Sequence, residues 1–214
     1  MSFNNDTICA VATPAGRGGV SIIRISGSLC LELCQKITGI TAVPRYAHTA
    51  KFTNPSSGII DLGLCLFFPG PNSFTGEDVV EFQTHGSPVV VDVLMKTIVG
   101  LGARLARPGE FSERAFLNDK IDLSQAEAIA DLIASSSTEA AKKSVQSLQG
   151  EFSKLVYALT DSITSLRIYV EAAIDFPEEE VDFLDSGNVR ERLSAIRQQL
   201  LTLLGQARQG AILR

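Results

Sequence analysis

The feature that most constrains this 214-residue chain is a change of punctuation near residue 120. From Asp122 to Asp175 there is no proline and a single glycine, Gly150. Proline removes a backbone donor and glycine weakens a helix interior, so their near absence over such a length admits long helices. Apolar residues recur there at Leu148, Phe152, Leu155, Leu159, Ile163, Leu166, Val170 and Ala173. Steps of three and four define one helical stripe. Asp122 with Gln125 opens the region as an Asp variant of the capping box. Pro177 and the run Glu178-Glu179-Glu180 break it, and a last helix carries Val189, Leu193, Ile196, Leu200, Leu203 and Ala207. Such stripes need cover, from one another or from a partner.

The first half reads differently, as strands mixed with short helices. Thr7–Thr13 and the β-branched run Val20–Ile25 predict two strands separated by the Gly-rich segment 14–19. Ser26-Gly27-Ser28 opens a helix with Leu29, Leu33 and Ile37 on one face, ended by Gly39. Leu62–Phe68 and Val79–Thr84 predict two more strands. Ser87 as N-cap and Pro88 at the first helical position start a helix running to about Val99. Ala103–Ala106 is a short fifth strand.

Composition allows a packed core: 45% of residues are hydrophobic and 20% charged. The net charge of −5 argues against a general basic platform for nucleic acid, which needs clustered Lys and Arg. Cys9, Cys30, Cys34 and Cys65 form no CxxC pair and have no His beside them, so they read as small apolar core residues in a reducing compartment. No apolar run approaches the length of a membrane span, and the first residues are polar, so the expected location is cytoplasmic, with no membrane partner.

Few segments invite chemistry. The turn Ala15-Gly16-Arg17-Gly18-Gly19 is not a phosphate cradle: no GxxxxGK[ST] occurs, and the turn leads into a strand instead of a helix. It reads as a place where backbone approaches backbone. The segment 69–78, Pro-Gly-Pro-Asn-Ser-Phe-Thr-Gly-Glu-Asp, is an exposed loop of turn formers. Glu81 sits in an otherwise apolar strand, so its carboxylate must be paired, hydrogen-bonded or protonated. His85, beside Gly86, reads as a loop-stabilising residue. The segment 107–123 interleaves Arg, Glu, Asp and Lys with Phe. It is either a salt-bridged hinge or a junction where Lys120 or an Arg receives an anionic ligand tail.

Asp6–Gly27, Phe68–Asp78, Arg107–Leu123 and Leu166–Pro177, taken as whole segments, resemble the tRNA-modification GTPase family called MnmE or TrmE. The resemblance spans the chain. It implies an α+β fold: a folate-binding α/β head, similar to the folate domain of the glycine-cleavage aminomethyltransferase, then an all-α region of long helices. On that basis residues 1–118 form the folate-binding and dimerisation domain. Residues 119–214 form the first part of a helical domain that stops before a Ras-like GTPase domain. The resemblance further implies a homodimer working with the flavoprotein MnmG, with FAD and NADH, on C5 of the wobble uridine of certain tRNAs. It implies GTP, potassium and magnesium in the whole protein, at sites missing from this chain, and 5-formyl- or 5,10-methylene-tetrahydrofolate in the head. The folate contacts carried over are Arg24, Glu81 and Lys120. A pterin's 2-amino group and ring N–H suit a carboxylate, which assigns ring recognition to Glu81. Arg24 and Lys120 would meet the carbonyls and the glutamate tail. Two rival readings are a stand-alone folate-dependent one-carbon transferase and a purely structural dimerisation scaffold.

Overall fold

The computed structural model describes residues 6–56, 58–175 and 189–212. The chain divides into two compact units, Met1–Ile121 and Asp122–Arg214.

In the first unit, the head, the order is β1 (Ile8–Val11), β2 (Gly18–Ser26), α1 (Cys30–Thr38), β3 (His48–Asn54), β4 (Gly58–Phe68), β5 (Val79–Gly86), α2 (Pro88–Gly100), β6 (Arg104–Leu105) and α3 (Glu110–Leu117). The strands form one sheet in the order β3-β4-β5-β2-β1-β6. All neighbours are antiparallel except β1 and β6. Strand side chains alternate between faces. Ile23, Ile25, Val80 and Phe82 join Leu33 and Ile37 of α1 and Leu94 and Ile98 of α2 in one buried core. Phe52 and Phe82 meet at its centre, 5.1 Å between rings. Arg24 and Glu81, between the inward residues of β2 and β5, therefore take the opposite face.

Several expectations are met. Gly39 ends α1 in the left-handed conformation. Burial pushes the Cys9 and Cys30 thiols up, to about 11 and about 12, as core thiols require. Gly18 pairs with Gly86, and a Cβ on Gly86 would lie 2.6 Å from the Gly18 carbonyl oxygen. The Gly-rich turn thus brings backbone against backbone.

Others are corrected. Strand β3 was not expected, although Ala50 and Phe52 alternate with Lys51 and Thr53. The segment 107–123, read either as a salt-bridged hinge or as a junction for an anionic ligand tail, is ion-paired as the first reading has it, but it also holds helix α3, which was not expected. Ser87 occupies the N-cap of α2, but its side chain makes no capping bond.

The second unit contains α4 (Leu123–Ala134), α5 (Thr138–Leu148), α6 (Glu151–Asp175) and α7 (Val189–Ile212). The capping box is present: Asp122 accepts from the Gln125 N–H at 2.9 Å, and the Gln125 side chain accepts from the Asp122 N–H at 2.9 Å. The single stripe beginning at Leu148 is interrupted. Leu148 closes α5, and the chain turns at Gly150, φ +77°, before α6 begins. Helix α6 packs against α5 and α7, with the Arg192 guanidinium 5.5 Å from the Tyr169 ring. Pro177 and Glu178-Glu179-Glu180 lie outside the described residues. Among the described residues of this unit, the buried hydrophobics are Ala128, Leu159 and Leu166, whereas Ile133, Ile174 and Leu193 are more than half exposed.

Candidate functional site

Arg24 and Glu81 face each other across β2 and β5 in register. The Arg24 Nε and one terminal nitrogen both reach the same carboxylate oxygen of Glu81, Oε1, each at 2.8 Å. The pair is partly sheltered, with side chains 29% and 15% exposed. A carboxylate in an apolar strand needs such a partner, and this one is charged.

Two phenylalanines frame the arginine. The Phe74 ring lies 5.4 Å from the guanidinium carbon, and the Phe111 ring lies 5.8 Å from it. Both distances suit a cation–π contact. Phe74 comes from the loop between β4 and β5, and Phe111 from α3. Sequence reading left both unassigned, because neither their spacing nor their surroundings in the chain link them to residue 24. The one available signal was an aromatic residue inside each of two polar segments.

Lys120 is exposed just after α3, and its backbone N–H donates to the Ala115 carbonyl at 2.8 Å. Its aliphatic stem passes Gly76, where an added Cβ would come within 3.3 Å of Lys120 Cδ. The 69–78 loop is thus common to both parts: Phe74 stands over Arg24, and Gly76 abuts Lys120. Asn118 donates to the Thr75 carbonyl at 2.7 Å and fixes the loop against the end of α3.

An ionic network holds this arrangement. Glu110, the first residue of α3, is buried and accepts from Arg104 at 2.5 and 2.9 Å and from the Arg107 backbone N–H at 2.7 Å. The Arg104 guanidinium beside it holds the Glu110 carboxyl down at about 2, against an ordinary 4.5. Arg114, on the same helix, bonds Asp6 at 2.7 Å and Glu77 at 2.9 Å. Ser26 donates to Glu77 at 2.7 Å. Asp6, Glu77 and Asp78 line a hollow with Gly27 and Ser28. Their oxygens already serve Arg114, Arg104 and the Gly70 N–H, so the hollow presents no free acid cluster.

His85 sits elsewhere, at the end of β5. Asp61 accepts from its backbone N–H at 2.8 Å and pairs with its Nδ1 at 2.9 Å. Burial alone would raise the Asp61 carboxyl, yet these bonds hold it below its ordinary value. Among the described residues no group of His, Cys, Asp and Glu has metal-binding geometry, and no helix is long and apolar enough to cross a membrane.

Comparison with known proteins decides the family. Residues 7–120 match the family described as "GTP-binding protein TrmE N-terminus", and residues 123–214 match the "MnmE helical domain". The chain belongs to the MnmE (TrmE) family. It is 59% identical over all 214 residues to the tRNA modification GTPase MnmE of Pseudomonas putida (strain W619), covering 47% of that protein. It is 60% identical over the same length to the MnmE of Ectopseudomonas mendocina (strain ymp), again covering 47% of it. Identity to the MnmE of Saccharophagus degradans is 58% over 210 residues, 98% of this chain and 46% of that protein. The chain spans about half the length of these MnmE relatives. The two family matches meet between residues 120 and 123, where the two compact units also meet.

Proposed function

We propose that this chain is the reduced-folate-binding and dimerising part of a tRNA modification GTPase. The observation that carries the reading is the partly sheltered Arg24–Glu81 pair, on the sheet face opposite the core, with the Phe74 and Phe111 rings within cation–π distance of the arginine. A flat, polar heterocycle needs hydrogen-bonding groups at its edge and apolar walls on its faces, and these four side chains are of those two kinds. Lys120, beside the same loop, suits the carboxylates of a folate tail. The ligand is 5-formyl- or 5,10-methylene-tetrahydrofolate.

In the whole protein, GTP hydrolysis with potassium and magnesium belongs to a domain outside these residues, since no GxxxxGK[ST] occurs among them. The names of the relatives, at close to 60% identity, support tRNA modification as the process. Partnership with MnmG and action at C5 of the wobble uridine follow from the family reading, as does a homodimer formed through the head.

Calorimetric titration of 5-formyl-tetrahydrofolate into the protein and into Glu81→Ala tests the folate reading. The expected result is binding by the parent and a loss of about tenfold or more in the variant, the scale for removing a partner from a charged hydrogen bond. Equal affinity of the two would refute it. Failure of the parent to bind, with a stable dimer in solution, would favour a structural scaffold instead.

A further inference from the structure

The buried thiols of the head fall into two kinds. Cys9 and Cys30 donate to backbone: Cys9 Sγ to the Arg104 carbonyl at 3.4 Å, and Cys30 Sγ to the Asp78 and Ile25 carbonyls at 3.1 and 3.4 Å. Burial pushes both thiols up, so they stay protonated and inert. Cys34 of α1 and Cys65 of β4 instead meet each other, Sγ to Sγ, at 3.2 Å. The Cys65 S–H donates to Cys34 and holds that thiol below its ordinary value, while Cys65 itself is pushed up. The pair lies beneath the C-terminal end of α1: Cys34 Sγ is 3.8 Å from Thr38 Oγ1 and 3.9 Å from the Ile40 carbonyl oxygen. Thr38 and Ile40 are half-buried, Gly39 and Thr41 are exposed, and the stretch 39–43 is irregular. A local opening of that turn, far short of unfolding, uncovers the sulfurs.

We propose that Cys34 and Cys65 form an oxidation-responsive dithiol, which hydrogen peroxide converts to a disulfide that staples α1 to β4. The Cys34 sulfur attacks a peroxide oxygen, the O–O bond breaks, and Cys34 becomes a sulfenic acid with release of one water. The Cys65 sulfur then attacks the Cys34 sulfur: the S–S bond forms, the S–O bond breaks, and a second water leaves. In all, the two thiols lose two electrons and two protons, and the peroxide is reduced to two waters. A disulfide is ~2.05 Å long, so the sulfurs need close by only about 1 Å. The bond would tie residues 31 apart in sequence. Closing a loop of that size restricts the unfolded chain more than the folded one, which makes the oxidised head the more stable form. In a reducing compartment the bond is transient, since a dithiol reductant returns the pair to thiols by exchange.

The test treats the folded protein with dilute hydrogen peroxide, blocks the remaining thiols with N-ethylmaleimide, and maps the unreduced peptides by mass spectrometry. The expected result is one crosslink, joining the Cys34 and Cys65 peptides, formed about tenfold or more faster than any change at Cys9 or Cys30. Dithiothreitol should reverse it. The oxidised head should also resist urea better, with its folded-to-unfolded ratio raised about a hundredfold, the scale for a loop of this size. Cys9 and Cys30, still free thiols, report that unfolding through their reaction with a pyridyl disulfide. Neither arm uses a variant, so no change in core packing can confuse them. Sulfinic acids in place of the crosslink, a bond between any other two cysteines, or no reaction until the head unfolds would overturn the proposal. So would a lower urea midpoint after oxidation.

Discussion

Replacing Glu110 with glutamine removes one negative charge from the frame that seats α3, and so Phe111, over Arg24. The carboxyl is 3% exposed and sits at about 2 in the folded head against an ordinary 4.5. At about 1.36 kcal/mol per pH unit that gap is worth ~3 kcal/mol of folding stability. Arg104, its main partner, is 38% exposed, which trims the expected loss in Glu110→Gln to about 2–3 kcal/mol at neutral pH. The sign follows from the depressed value. The contribution is whole above pH 4.5 and drains away as pH falls toward about 2. The parent and variant stability curves should therefore lie apart at neutral pH and converge in acid. All four cysteines are buried, and all lie in the head, so their reaction with a pyridyl disulfide along a urea series reports unfolding of that unit alone. A neutral-pH difference under about 1 kcal/mol, or a constant offset that persists in acid, would refute the ionic account of how α3 is held.

Three further outcomes are expected. Gly76→Ala places a Cβ at φ +79° and 3.0 Å from Asn118 Cβ; it should destabilise the head by about 1–2 kcal/mol and weaken folate binding by moving the loop, as read by thermal unfolding and calorimetry. Asp122→Ala removes the cap of α4 and should cost about 1 kcal/mol, visible as faster amide exchange over 123–134 but not in β2 or β5. Helix α7, whose Leu193, Leu200 and Leu204 are 57%, 41% and 46% exposed, should exchange faster than strands β2 and β5; equal protection in the two regions would show that the helix is covered in solution.

The parts legible in the sequence are those whose cause is local. The β-branched run of β2, the proline opening α2 and the Asp122–Gln125 box each contain their own reason, and each appears in place. Helix α3 was not legible because the charges that seat it are satisfied outside it: Arg114 answers to the remote Asp6 and Glu77, and Glu110 to Arg104, ahead of the helix. Seen along the chain, those charges resemble a hinge. Glu81 shows the same limit from the other side. Its apolar setting announced that it needed a partner, but only strand register makes that partner Arg24. Phe74 and Phe111 lacked even that announcement. In the helical unit, steps of three and four ran through Leu148, and only the backbone at Gly150 marks where one helix gives way to the next.

The four side chains of the candidate site come from two strands, a loop and a helix, at positions 24, 74, 81 and 111. Only Phe74 and Glu81 are close in sequence, so the four side chains come together only when the head is folded. A molecule bound there becomes a thermodynamic staple across the domain. At a free concentration a hundredfold above its dissociation constant, it adds about 2.7 kcal/mol to the stability of every element it spans. In a cell, the supply of that small molecule would then set how long the head survives unfolding and proteolysis, quite apart from any chemistry it takes part in.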